Sequence, residues 1–126
     1  LEQELEASTA YWKIVVGHHM IRSYGVYGDL KFMNEKLKPI LDHYNVDLYL
    51  SGHDHDLQLI KHPEDAFYQA ISGAGGGSRD TSWGEYSLFA ETNGGFAAFT
   101  ISSSTLYIEY IGRNGDLLYS HAIEKT

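Results

Sequence analysis

The stretch Val46-Asp-Leu-Tyr-Leu-Ser-Gly-His-Asp-His-Asp-Leu-Gln58 decides the architecture. A short run of apolar and aromatic residues stops at Ser51-Gly52, gives way to His53-Asp54-His55, and resumes as Leu57-Gln-Leu-Ile60. The first run reads as a buried strand, and the polar break as a turn at its carboxyl end. The same pattern stands upstream, where Trp12-Lys-Ile-Val-Val16 ends at Gly17 and is followed by His18 and His19. Between the two strands, Leu30, Met33, Leu37, Ile40, Leu41 and Tyr44 recur at helical spacing. Pro39 falls inside that helix and predicts a kink or a restart there, because proline removes a backbone donor and crowds the preceding turn. Strand, helix and strand at this length make a βαβ unit with parallel neighbouring strands.

After Gly52 the character changes. Leu57–Ile60, Phe67–Ile71, Phe96–Ile101, Leu106–Ile111 and Leu117–Ile123 read as strands, and Ser102–Ser104 and Arg113-Asn-Gly-Asp116 supply turns between the last three. This half is expected to form an antiparallel meander. Residues 73–95 read as a glycine-rich loop whose Trp83, Tyr86 and Phe89 line a pocket or cover the sheet. The expected class is α/β (α+β), one βαβ unit followed by antiparallel strands, forming one face of a larger two-sheet sandwich. Leu1-Glu-Gln-Glu-Leu-Glu-Ala7 carries leucines at i, i+4 with acids between them and no capping residue ahead. It reads as the inside of a helix, so residues 1–126 are expected to be the C-terminal part of a single domain whose N-terminal part is missing. Alone, such a piece would leave a strand edge unpaired and would not be an independent stable enzyme.

Composition narrows the partners. The 126 residues are 43% hydrophobic and 21% charged, which is globular composition. A net charge of −8 and a pI near 5.2 argue against nucleic acid and against direct binding to an acidic membrane surface. Membrane association would need a segment or partner outside this chain. Cysteine is absent, which excludes disulfide scaffolds, zinc–thiolate sites and thiol catalysis.

The histidines are the chemically loaded residues. His18-His19 and His53-Asp54-His55 follow the two parallel strands, where open α/β sheets place their ligands. Rings at the ends of adjacent strands can converge on one ion or on two close ones, and imidazole favours zinc, iron, manganese or nickel over calcium or magnesium. If residues 53–55 are extended, His53 and His55 face one way while Asp54 points elsewhere or supports a ligand's second ring nitrogen. His43, His62 and His121 read as surface or structural, and Arg22 as a surface arginine with phosphate contact as the alternative. Gly73-Ala-Gly-Gly-Gly77 reads as a tight loop near the site; it lacks the lysine of a P-loop.

Val15-Val-Gly-His-His19, Tyr49-Leu-Ser-Gly-His-Asp-His-Asp-Leu-Gln58, Ile71-Ser-Gly-Ala-Gly75 and Gly94-Gly-Phe-Ala97 together resemble the C-terminal half of the calcineurin-like metallophosphoesterases. Among these, the resemblance is to the tartrate-resistant purple acid phosphatase branch. It implies a β-sandwich flanked by helices with two metal ions at the strand ends, iron paired with iron, zinc or manganese. It implies that His18 and His53 hold the divalent ion and His55 the ferric or equivalent ion. The implied reaction is hydrolysis of phosphate monoesters by a metal-activated water, in a secreted, lysosomal, vacuolar or other endomembrane compartment.

Two departures qualify what the resemblance implies. The family's metal-binding aspartates, tyrosine and Asn-His pair belong to N-terminal motifs that this chain does not carry, so it supplies part of a site. Where many members have a histidine near the leaving oxygen, this chain has Tyr27, a poorer proton donor in acid. Tyr27 and His19 are the candidate substrate-facing residues, His19 either touching substrate or orienting the loop. The alternative is a catalytically weak phosphatase-fold scaffold or anchor in a membrane-associated complex, the use made of an apicomplexan glideosome-associated acid-phosphatase-like protein. A metal-dependent phosphodiesterase or nuclease is a third.

Overall fold

The computed structural model describes residues 1–125. After a short helix α1 (Glu2–Ala7), strand β1 (Ile14–Val16) leads through a loop to helices α2 (Lys31–Lys36) and α3 (Lys38–His43). Strands β2 (Leu48–Ser51), β3 (Leu57–Ile60), β4 (Tyr68–Ser72) and β5 (Ser87–Glu91) follow, then β6 (Gly95–Ile101), β7 (Thr105–Gly112) and β8 (Leu117–Glu124). Pro39 restarts the helix rather than kinking it: α2 stops at Lys36, and the proline lies in the first turn of α3, where its missing N–H has no partner to lose.

Two sheets form. One has the order β1-β2-β4-β3-β5, the other β6-β7-β8. β1 and β2 are parallel as expected, with Val16 opposite Leu50. The expected antiparallel pairing holds for the second sheet and for β3 with β4 in the first, but β4 also pairs parallel with β2, Leu50 opposite Ala70, so the strands do not run as a simple meander. The segment 73–95 is also not all loop, because Ser87–Glu91 pairs antiparallel with β3. Phe89 is buried there and stacks on Tyr119 at 5.1 Å between ring centroids, while Trp83 is exposed.

The larger sheet is covered on both faces. Leu48, Leu57, Leu59, Phe89, Leu106, Ile108 and Tyr110 fill the space between the sheets, and Ile21, Leu41, Val46, Tyr49 and Phe67 pack beneath the helices. All four residues of β3 are therefore buried, including Gln58. β1 is the exception: among the described residues it pairs with β2 alone, Val16 is 69% exposed, and a hollow of about 540 Å³ opens between β1 and α1.

Arg22 is not a surface arginine. Its guanidinium donates to both carboxylate oxygens of buried Asp65, at 2.7 and 2.9 Å, and the Lys38 ammonium lies 3.3 Å from the same carboxylate. Gln69 Oε1 accepts the Ile21 and Arg22 backbone N–H groups, so the loop after β1 is fastened to β4. Burial acts to raise the Asp65 carboxyl, but Arg22 and Lys38 outweigh it and hold it below its ordinary 3.8. This contribution to stability is complete above pH 3.8 and is lost as pH falls through the lower folded value. In the intact protein, Asp65→Asn is expected to cost about 3 kcal/mol at neutral pH, since it strands a half-buried guanidinium. Denaturant unfolding checks it: the variant should also lose less stability than wild type between pH 4 and pH 2.

Candidate metal centre

The site is built from two strand ends. Gly17 N–H donates to Leu50 O at 3.0 Å and Gly52 N–H to His18 O at 3.0 Å, extending the β1–β2 ladder into the loops that carry the histidines. Gly17 has no room for a side chain, since a Cβ would lie 2.3 Å from the Tyr49 hydroxyl, which donates to His19 O at 2.6 Å.

Residues 53–55 do not continue as extended backbone. His53 has φ +66°, and Asp54 N–H folds back onto Gly52 O at 2.8 Å. The alternation that would aim His53 and His55 the same way is therefore broken at its first residue. Three imidazoles converge instead: the donor atoms of His18, His19 and His53 lie within 4.8 Å of one another. His18 Nε2 and His53 Nδ1 are 3.1 Å apart, the ring centroids of His19 and His53 are 4.5 Å apart, and His18 and His19 are exposed. His55 stands outside this trio, beside Gly77, where a Cβ would come 4.0 Å from its Nδ1. It is near enough that its charge acts on His53.

The trio fits a transition-metal ion. Nitrogens about 2.1 Å from one ion, in tetrahedral or octahedral arrangement, are separated by about 3.0–3.4 Å, which brackets the His18–His53 distance. Burial, then the neighbouring His19 and His18, push the His53 ring below its ordinary 6.5, so the neutral form that binds metal prevails near neutral pH. Three imidazoles do not complete two coordination shells, and Asp54 does not assist them. It is buried, accepting hydrogen bonds from Ser23 Oγ and, at 3.2 Å, from the Tyr27 N–H.

Asp54 belongs to a buried polar network that sequence reading did not find. Gln58 Nε2 reaches Ser23 Oγ at 3.0 Å and both Asp56 oxygens at 2.9 and 3.0 Å, while Gln58 Oε1 accepts the Tyr24 N–H at 3.0 Å. Burial, joined by the Asp54 charge, raises the Asp56 carboxyl to about 6. A Cβ on Gly25 would lie 2.4 Å from Asp56 Oδ2, so the loop backbone lies directly on the carboxylates. The available signal was polar residues at 54, 56 and 58 leading into a strand buried on both faces, where each must find a partner. The clamp sets Tyr27 above the trio. Its ring stacks on His53 at 4.2 Å, and its hydroxyl oxygen accepts a 2.7 Å hydrogen bond from Arg79 Nη1. Arg79, also missed, is tied down by its own N–H to His55 O at 2.7 Å.

Comparison with known proteins points to one family. The calcineurin-like phosphoesterase family profile matches residues 1–57. Purple acid phosphatase 4 of Arabidopsis thaliana is 37% identical over 94% of this chain and 36% of its own length. Human tartrate-resistant acid phosphatase type 5 is 31% identical over 94% of the chain and 39% of its own length. Among solved structures, GAP50, the anchor in the inner membrane complex of Plasmodium, superposes over 99% of the chain and 41% of its own, with a TM-score of 0.91 and 26% identity. The chain thus spans little more than a third of the length of these two relatives.

Gly73 gives the site a direct mechanical test. A Cβ there would sit 2.0 Å from Asp54 O, so Gly73→Ala must push the histidine segment away from β4. The expected cost is about 2 kcal/mol or more, read as a lowered Tm of the intact protein, whereas Gly75→Ala, with open space around it, should be nearly neutral.

Proposed function

This chain belongs to the calcineurin-like phosphoesterase family, and we propose that within its intact protein it supplies the histidine side of a binuclear metal centre that hydrolyses phosphate monoesters. The observation that carries the reading is the 3.1 Å approach of His18 Nε2 and His53 Nδ1 at the ends of adjacent parallel strands. In this reading His18 and His53 hold one ion and His55 holds the other, whose remaining ligands come from elsewhere in the protein. The offset of His55 from the trio supports two ion positions rather than one. Ions bound there, iron paired with iron, zinc or manganese, supply positive charge to the phosphoryl oxygens and Lewis-acid activation for the attacking water. The exposed side of β1 supports a further layer of the same domain, which would bury Val16 and fill the hollow beside α1.

The chain's own residues hold the substrate. His19 lies against both His18 and His53 with an exposed edge, placed to meet a phosphate oxygen. Tyr27 Oη already accepts from Arg79, so its own proton is free to point outward as a donor. A phenol in this place serves to hydrogen-bond the substrate rather than to protonate a leaving group in acid.

A second reading is an anchor or scaffold with little turnover. It is favoured by the 0.91 TM-score to GAP50 and by tyrosine at position 27. Among the described residues no helix is long and apolar enough to cross a membrane, so in that reading attachment runs through another segment or a partner.

Metal analysis and a phosphomonoester assay on the intact protein separate the two. The enzyme reading expects two bound ions and turnover, with His53→Ala and His18→Ala each lowering kcat/KM about a hundredfold or more. Bound metal with negligible turnover, restored by Tyr27→His, favours the anchor. A protein that binds no added divalent or ferric ion overturns the metal centre altogether.

A further inference from the structure

We propose that Arg79 is the residue through which this site grips the anionic group of its substrate, in concert with Tyr27, an assignment that rests on the phosphoesterase reading above. The guanidinium lies over the Tyr27 ring with Cζ 5.6 Å from the centroid, and Nη1 donates to Tyr27 Oη at 2.7 Å. The phenol ring in turn stacks on His53 at 4.2 Å. Cation, phenol and imidazole therefore form one continuous pile ending on a candidate metal ligand.

The position is held from both sides. Arg79 N–H bonds His55 O at 2.7 Å, and Gly73 N–H bonds Asp56 O at 3.1 Å, so the glycine-rich segment is pinned to the histidine turn at its start and at Arg79. The side chain between those anchors is exposed.

What distinguishes Arg79 is its unused capacity. A guanidinium carries five N–H donors, of which one is spent on Tyr27. Among the described residues no carboxylate pairs with it, neighbouring Asp80 included, although the chain carries a net charge of −8. Arg22 shows the contrast, since its fork is committed to Asp65. The remaining donors of Arg79 lie beside the Tyr27 hydroxyl, on a ring that itself covers His53. A planar fork beside a hydroxyl matches the oxygens of a phosphate dianion, which a lysine ammonium would meet only as a point charge.

The intact, metal-loaded protein tests this with a phosphomonoester as substrate and inorganic phosphate as inhibitor. Arg79→Ala is expected to raise KM and the phosphate inhibition constant about tenfold each, the loss of one charge-assisted contact, with a smaller change in kcat. Arg79→Lys should recover part of that affinity. In a Tyr27→Phe background the Arg79→Ala penalty should shrink, because the two donors act as a pair. Wild-type turnover with phosphate inhibition unchanged in both Arg79 variants overturns the assignment, as does a loss confined to Tm or kcat. Absence of turnover in the wild type overturns the reading on which it rests.

Discussion

Two backbone hydrogen bonds hold the functional half of this molecule in register: Gly17 N–H to Leu50 O and Gly52 N–H to His18 O. They continue a parallel ladder past the last strand residues, so the loops leave the sheet locked to each other rather than free. The imidazoles of His18 and His53 then meet from backbones already fixed, so the rotamers of the two rings are what remain to be ordered. Tyr49 reinforces this by bonding His19 O beneath the site. Gln69, on β4, catches the Ile21 and Arg22 N–H groups two and three residues after His19.

The parts of the fold that were legible in the sequence are those in which a repeating pattern reports burial. β2 and β3 read as strands because apolar residues run together where both faces of a sheet are covered, β1 shows the same kind of run with one face open, and the helical spacing from Leu30 to Tyr44 survived the restart at Pro39. β5 was hidden because its five residues follow a glycine-rich segment that sets the local composition. The parallel pairing of β4 with β2 was hidden for another reason: a strand's sequence states that it is buried, not which neighbour it joins. At the site, the strand-end histidines were legible from their glycines. The direction of His55 was not, because a single φ of +66° at His53 undoes the two-residue alternation. Arg79 was illegible because a loop has no period, and its value lies in a contact 52 residues away.

The charges are sorted by depth. The buried acids are all spoken for: Asp65 by Arg22 and Lys38, Asp54 by Ser23 and the Tyr27 N–H, Asp56 by Gln58. Other carboxylates, such as Glu2, Glu4 and Glu35, lie on outer helix surfaces and repel anions at a distance. The mouth of the site presents imidazoles, a phenol and one guanidinium. An acidic protein thus carries a locally anion-accepting opening, and over distances near a Debye length the local groups prevail over the net charge. The same scaffold serves phosphatases and an anchor among the proteins it resembles, so the fold leaves function to these few groups.

The left-handed backbone at His53 sets folding ease against ring placement. A histidine at φ +66° pays about 1 kcal/mol that glycine would not. Glycine at this position would relax the backbone and at the same stroke remove the ring that meets His18. The same dihedral that costs stability carries the imidazole out of the strand direction and onto its neighbour, so conformational ease and ring placement pull position 53 in opposite directions.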